Sequence, residues 1–253
     1  MIDGHCHLDN KAGSVHEAMN SLNHAALTAG VTSVVLLNLP AEGFSNYEVM
    51  EEAKHYNSFF HVFPSLNPRH TNAFKELHNL NASGAAGLKL HPRMHGYRVD
   101  GEECINLVSL AGSLGMPVLI DGFPDGMNLS LGNLPASFAR LAEKTPDTSI
   151  AMGHAGGHKI LDALMVAKYF KNIYLDISYT LLYYRNSNLP KDIAYSIASI
   201  RAERIFWGSD YPDRPYGETV KLSIDEITKM NLLAEFRAAI FENNVMQFLG
   251  SDH

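Results

Sequence analysis

Two imidazoles open the chain, in Met1-Ile2-Asp3-Gly4-His5-Cys6-His7-Leu8-Asp9. In an extended strand successive side chains point to opposite faces, so Asp3, His5 and His7 are expected on one face and Gly4 and Cys6 on the other. Two neutral imidazoles on one rigid face can chelate a divalent metal, Zn²⁺ or a similar first-row ion. With 13 histidines in 253 residues, a single His-x-His pair is close to what chance supplies, so context must decide. That context is a distant aspartate, Asp210, in Gly208-Ser209-Asp210-Tyr211-Pro212, a lysine, Lys89, and a third histidine, His154. A carboxylate can ligate the same metal and take a proton from water. Asp also favours the cap before a helix, the competing use of Asp210. An imidazole such as His154 can polarise a carbonyl or shuttle a proton near neutral pH. Lys89 lies in the apolar run Leu88-Lys89-Leu90, where burial is costly without a partner.

These residues can meet only if the chain brings them to one place. Apolar runs of strand length alternate with amphipathic stretches of helical period throughout. After the first strand, a helix is expected from Ser14 to Thr28, a strand over Val31 to Asn38, a helix over Asn46 to Tyr56 and a strand over Phe59 to Leu66. A helix over Asn72 to Asn81, the strand Gly84 to His91, a helix over Glu102 to Leu114 and the strand Met116 to Asp121 continue the series. Helices Pro135 to Lys144, Lys159 to Phe170 and Lys191 to Arg201 then alternate with strands Ser149 to His154, Asn172 to Ser178 and Arg204 to Asp210. Helices over Thr219 to Met230 and Leu233 to Leu249 finish the chain. Eight such units over residues 1–253 predict a single-domain α/β protein, a (β/α)₈ TIM barrel. No Gly-x-Gly-x-x-Gly turn supports a dinucleotide-binding sheet. Because barrel active sites lie at the carboxyl ends of the strands, the last polar residues of each strand are the candidates. They are His5 and His7, Asn38, Ser65, Lys89 and His91, Asp121, His154, Asp176 and Ser178, and Asp210.

A net charge of −7 without a Lys/Arg run argues against nucleic acid and favours a small polar substrate. Two distant cysteines, Cys6 and Cys104, point to buried thiols and a reducing compartment. The absence of a leader-like segment and of an 18-residue apolar run points to a soluble cytoplasmic protein without membrane partners. A homo-oligomer is compatible with all of this.

Taken in order, Asp3-Gly-His5-Cys-His7, Gly87-Leu-Lys89-Leu-His91-Pro92, Gly153-His154-Ala-Gly-Gly157 and Gly208-Ser-Asp210-Tyr-Pro212 resemble the metal-dependent amidohydrolase superfamily, in its branch of small barrels without an added β-sandwich. The resemblance covers essentially the whole chain. It implies His5, His7 and Asp210 as metal ligands, Asp210 also as proton acceptor, and His154 as ligand or acid/base. It implies for Lys89 either a carboxylated, metal-bridging side chain or an unmodified lysine in a salt bridge or against substrate, and His91 is expected to contact substrate or to donate to a neighbouring ligand instead of binding the metal itself. The chain departs from the pattern at strand five, which usually ends in a histidine ligand and here ends in Asp121. An aspartate there can ligate a metal and would favour Mn²⁺ more than an all-histidine set does, or the site has lost a ligand. One or two ions, Zn²⁺ first and Mn²⁺ second, are the expected cofactor. Arg93, beyond strand four, and Arg214, beyond strand eight, match carboxylates bidentately and suggest an acidic organic substrate.

The expected activity is hydrolysis: a divalent metal lowers the pKa of water from about 15.7 towards about 7, and the resulting nucleophile attacks an amide, lactone or other ester carbonyl. Relatives of this branch also decarboxylate acidic substrates with similar ligands. The opening His-Cys-His-Leu-Asp is similar to that of TatD-like metal-dependent deoxyribonucleases, although Gly-Leu-Lys-Leu-His stands where those carry an acidic residue. A barrel that lost turnover with its strand-five histidine and only binds a ligand is the non-enzymatic alternative.

Overall fold

Eight short parallel strands form at the centres of the eight apolar runs. They are β1 (Ile2–Cys6), β2 (Ser33–Leu37), β3 (Phe60–Phe63), β4 (Leu88–Leu90), β5 (Val118–Ile120), β6 (Ile150–Met152), β7 (Ile173–Asp176) and β8 (Ile205–Phe206). The structure is a computed structural model that describes residues 1–250; the last three residues of the expected 1–253 domain lie outside it. Each strand pairs with its sequence neighbours. Between β3 and β4 the sheet continues through a Ser65–Lys89 bridge and the bond from Ala86 N–H to Val62 O at 2.9 Å. Between β8 and β1 it closes through Gly4 N–H to Trp207 O at 3.0 Å and Asp210 N–H to His5 O at 2.8 Å. The result is the expected (β/α)₈ barrel, with helices around it.

Alternation along the strands divides the core in two. Leu88 and Leu90 face the helices, within a large cluster that includes Leu107, Val108 and Ile120. The interior is filled by Val35, Leu37, Phe63, Leu119, Ala151, Tyr174 and Phe206. Val245 and Phe248, from the helix Asn244–Phe248, join that interior cluster. Gly87 makes room for this filling: a Cβ there would lie 2.3 Å from the Phe63 ring.

Three expectations change. The register of β1 shifts between Asp3 and Cys6, so Asp3 does not share the face of His5 and His7. A bulge re-aims the side chains on either side of it. The Asp3 carboxylate instead accepts from the His5 and Ser209 amides at 3.1 and 2.8 Å and from the Tyr216 hydroxyl at 2.9 Å. It braces the joint between β1 and β8. Secondly, the helix expected over Leu233 to Leu249 widens into a π-turn at Ala239–Asn243, and the Ile240 carbonyl accepts from Trp207 N–H at 3.0 Å. The brevity of β8 explains this: the helix supplies the acceptor that a longer strand pair would have provided. Thirdly, three stretches outside the expected elements carry short helices, Pro92–His95, Gly126–Leu131 and Thr180–Tyr183, each just beyond a strand's carboxyl end.

Candidate active site at the carboxyl ends of the strands

His5 Nε2, His7 Nε2 and Asp210 Oδ1 converge at the barrel mouth. The two nitrogens are 3.2 Å apart, and the carboxylate oxygen lies 3.1 Å from His5 and 3.7 Å from His7. Ligand bonds of roughly 2.0–2.1 Å in a tetrahedron place donor atoms about 3.3 Å apart, so this spacing is that of a cation's ligands. The other ring nitrogens fix the tautomers. His7 Nδ1 lies 2.7 Å from the Leu37 carbonyl, a pure acceptor, and therefore carries the proton there. His5 Nδ1 lies 2.5 Å from Asp176 Oδ2. In the neutral rings both Nε2 lone pairs would then face one another and the Asp210 carboxylate, which only a proton or a cation between them resolves. The residues present thus fit a divalent ion.

The electrostatics agree. Burial opposes protonation of His5, but the Asp176 carboxylate outweighs it and raises the imidazole to about 9. Burial and the neighbouring His5 and Lys89 charges hold His7 well below its ordinary range, so it stays neutral. For Asp210, burial favours the acid, yet His154, His5 and His7 hold it well below the usual carboxylate range. Asp176 is lowered in the same way against its burial, chiefly by His5. A second group of possible donors, His5, His154 and Asp176, is already joined by hydrogen bonds. Ser178 Oγ donates to Asp176 Oδ2 at 2.9 Å and lies 3.1 and 3.2 Å from the Nδ1 atoms of His5 and His154.

His154 leaves β6 in a left-handed run, with positive φ at His154, Ala155, Gly156 and Gly157. Such angles are sparsely populated for residues with a side chain and need holding in place. Here Thr180 Oγ1 donates to the His154 carbonyl at 2.7 Å, and the two glycines take the remaining turn. The ring stands 4.9 Å from that of His5, with Nδ1 3.2 Å from the Ser178 carbonyl and Nε2 3.4 Å from Asp121 Oδ1. Both nitrogens face acceptors, which suits proton donation.

Lys89 is 1% exposed, and no carboxylate among the described residues comes within ion-pair distance of its Nζ. Burial lowers its pKa, while Asp121, Asp210 and Asp176 act in the opposite direction. His91 caps the short helix Pro92–His95, its Nδ1 accepting from Met94 N–H at 3.4 Å. Burial pushes it down to about 3, so it is a neutral ring with its proton on Nε2. Arg93 Nε lies 3.2 Å from Asp121 Oδ2, and Nη1 lies 3.3 Å from Asp125 Oδ2. Arg93, Phe123, His154, Tyr179, Asp210 and Asp213 line a cavity of about 240 Å³ at the mouth. Arg214 does not line it; its Nε lies 3.3 Å from Asp213 Oδ2.

Asp121, the expected strand-five ligand, is placed apart from the His5, His7 and Asp210 donors. It stands outside both groups of donor atoms that lie within 4.8 Å of one another. Its carboxylate is engaged by Arg93, His154 and Asn128, whose Nδ2 donates to Oδ2 at 2.9 Å. Sequence reading gave no role to Asp176 and Ser178, although the same i, i+2 spacing that singled out His5 and His7 was present there. It passed over Asn128 altogether, since nothing local marks an asparagine in the segment beyond β5.

Fold and site together define a (β/α)₈ barrel enzyme with a His/Asp donor cluster at the carboxyl ends of its strands. The chain belongs to the amidohydrolase family: the family model Amidohydro_2, described as amidohydrolase, matches residues 2–250. No functionally curated protein matches the sequence significantly. Among solved structures it is similar to an uncharacterized TIM-barrel protein of Bordetella bronchiseptica, at 20% identity and a TM-score of 0.80, covering 93% of this chain and 83% of that one. It is similar to a putative 2-pyrone-4,6-dicarboxylic acid hydrolase of Pseudomonas putida, at 15% identity and a TM-score of 0.75, over 100% and 98% of the two chains. A 5-carboxyvanillate decarboxylase of Sphingomonas paucimobilis shares 15% identity at a TM-score of 0.68, over 92% and 83%. These likenesses establish the barrel fold.

Proposed function

We propose that the protein is a metal-dependent hydrolase that uses water to cleave a carbonyl compound, an amide, lactone or other ester, of a small acidic organic substrate. The observation that carries this reading is the convergence of His5 Nε2, His7 Nε2 and Asp210 Oδ1, with both Nδ1 protons committed elsewhere. A divalent cation held there, Zn²⁺ first and Mn²⁺ second, supplies a Lewis acid that polarises a carbonyl oxygen and acidifies water. Asp210, ionised and with no ion pair on Oδ2, accepts the proton of the attacking water at that oxygen. His154 Nε2 returns a proton to the leaving group. Lys89 and the Arg93 guanidinium bind negative charge on the substrate, His91 donates from Nε2, and Arg214 with Asp213 borders the entrance. Phe123 and Tyr179 wall the cavity. The two cysteines, both buried and unpaired, support a reducing, cytoplasmic location, and no helix among the described residues is long and apolar enough to cross a membrane.

The similarity to a decarboxylase favours a second reading, in which the same pocket orients an acidic substrate for loss of CO₂. Turnover in ¹⁸O-labelled water separates the two. Hydrolysis places the label in the product without gas release, whereas turnover with CO₂ release and no solvent oxygen in the product overturns the hydrolase reading.

A further inference from the structure

The inference rests on the cation site proposed above and concerns what β5 does beside it. Asp121 is fully buried, and a buried carboxylate needs a counter-charge. Arg93 supplies it through Nε at 3.2 Å. The carboxylate is also oriented from the segment beyond β5: Asn128 Nδ2 donates to Asp121 Oδ2 at 2.9 Å and to the Phe123 carbonyl at 2.8 Å. Asn128 is in turn held by Asn133, whose Nδ2 donates to Asn128 Oδ1 at 3.2 Å. Asp125, the N-cap of the helix that carries Asn128, holds the other side of the same guanidinium at 3.3 Å. Oδ2 is thus fully used. Oδ1 has no hydrogen-bond partner but faces His154 Nε2 at 3.4 Å, and neither oxygen joins the His5, His7 and Asp210 donors.

We propose that Asp121 is the buried counter-charge of Arg93 and not a cation ligand, so that the centre takes one divalent cation on His5, His7 and Asp210. The strand-five position then serves the anion-binding side of the pocket, and the site is bipolar. A cation stands over β1 and β8, and a guanidinium, fixed by two carboxylates, stands over β4 and β5.

The test uses the full chain stripped by chelator and reloaded with Co²⁺, read by elemental mass spectrometry and by the visible absorption of the bound ion. The parent is expected to take one equivalent. Asp121→Asn should also take one, with the same spectrum and a Co²⁺ affinity within about tenfold, a smaller effect than loss of a ligand gives. In the metal-free protein, Arg93→Met should lower Tm by about 4–8 °C because it strands the Asp121 charge, and adding Asp121→Asn should restore at least half of that loss. Should Asp121→Asn fold poorly alone, the double variant carries the same cobalt measurement. Two equivalents on the parent, an equivalent lost or a spectrum shifted in either Asp121→Asn protein, or no recovery of Tm in the double variant overturns the inference. No cation on the parent overturns the hydrolase reading with it, whereas two cations overturn this inference alone.

Discussion

Asp176→Asn tests the proposed cation site through the carboxylate that holds His5 Nδ1, away from the Nε2 side of the ring. Asp176 Oδ2 receives His5 Nδ1–H at 2.5 Å and the Ser178 hydroxyl at 2.9 Å, while Oδ1 receives Ser178 N–H at 2.8 Å. An asparagine cannot accept on both sides, so either Ser178 N–H or His5 Nδ1–H would face an amide donor. In the second arrangement the His5 proton moves to Nε2, into the space between His5, His7 and Asp210. Partners of this kind typically contribute about 10–100-fold in metal affinity, or roughly 1.4–2.7 kcal/mol. The upper end is expected here because Asp176 is fully buried.

A second effect has the opposite sign. Asp176 also holds His5 at about 9, so near pH 7 a cation must displace a proton, which weakens apparent binding about 100-fold relative to pH above 9. Removing Asp176 lowers that pKa and relieves the competition. Zn²⁺ affinity, measured against a chromophoric chelator across this range, should therefore rise about tenfold per pH unit in the parent and less steeply in the variant. The variant should be weakest relative to the parent above pH 9, and the gap should narrow towards neutrality. Equal affinities above pH 9, or a gap independent of pH, would refute the roles assigned to His5 and Asp176.

Three further outcomes follow from the fold. Gly87→Ala places a Cβ 2.3 Å from the Phe63 ring in the barrel interior, and a loss of about 1–3 kcal/mol should appear as a lower melting temperature; an unchanged melt would mean that the interior repacks freely. Arg204→Met removes Nη1, which donates to the carbonyls of Ala167, Phe170 and Ile173 at 2.9, 3.2 and 2.8 Å. Losing those three bonds, although the Phe170 carbonyl keeps one from Ile173 N–H at 3.2 Å, should cost roughly 2 kcal/mol in urea unfolding, and a change within about 0.5 kcal/mol would contradict the assignment. His91 titrates at about 3 in the folded chain against 6.5 when unfolded, so between these values the unfolded state binds the extra proton and stability falls as pH falls. His91→Gln should remove up to about 1.4 kcal/mol per pH unit from that slope, and an unaltered slope would place the proton uptake elsewhere.

The barrel was legible because each strand is an apolar run with a single polar residue, or an i, i+2 pair, at its carboxyl end. Parity alone placed Lys89 inside, between the helix-facing Leu88 and Leu90, and sent the last polar side chains to one mouth. Parity failed where backbone irregularity intervened. Nothing in Ile2-Asp3-Gly4-His5 specifies a bulge by itself. Within the shifted stretch, the Phe206 ring and the Trp207 carbonyl leave no space for a Cβ at Gly4, and these lie some 200 positions away. The π-turn at Ala239–Asn243 has the same origin, since its freed carbonyl serves Trp207 on another element.

Asp121 is the sharper case, because its residue type alone leaves its use open. A carboxylate at the end of β5 can bind a cation or balance one, and the choice belongs to its neighbours. Arg93 reaches it from the short helix after β4 and Asn128 from the short helix after β5, and neither has a spacing to Asp121 that sequence reasoning could interpret. His5, His7 and Asp210 were legible for the converse reason. His5 lies in β1, and His7 and Asp210 follow β1 and β8 closely at the closed seam of the barrel, where Asp210 N–H donates to the His5 carbonyl at 2.8 Å and the three donor atoms come within 3.1–3.7 Å. What regular strands position can be read from the chain, and what loops add can be read only from the fold. The His5, His7 and Asp210 donors fall largely in the first class; the partners around Asp121 fall in the second.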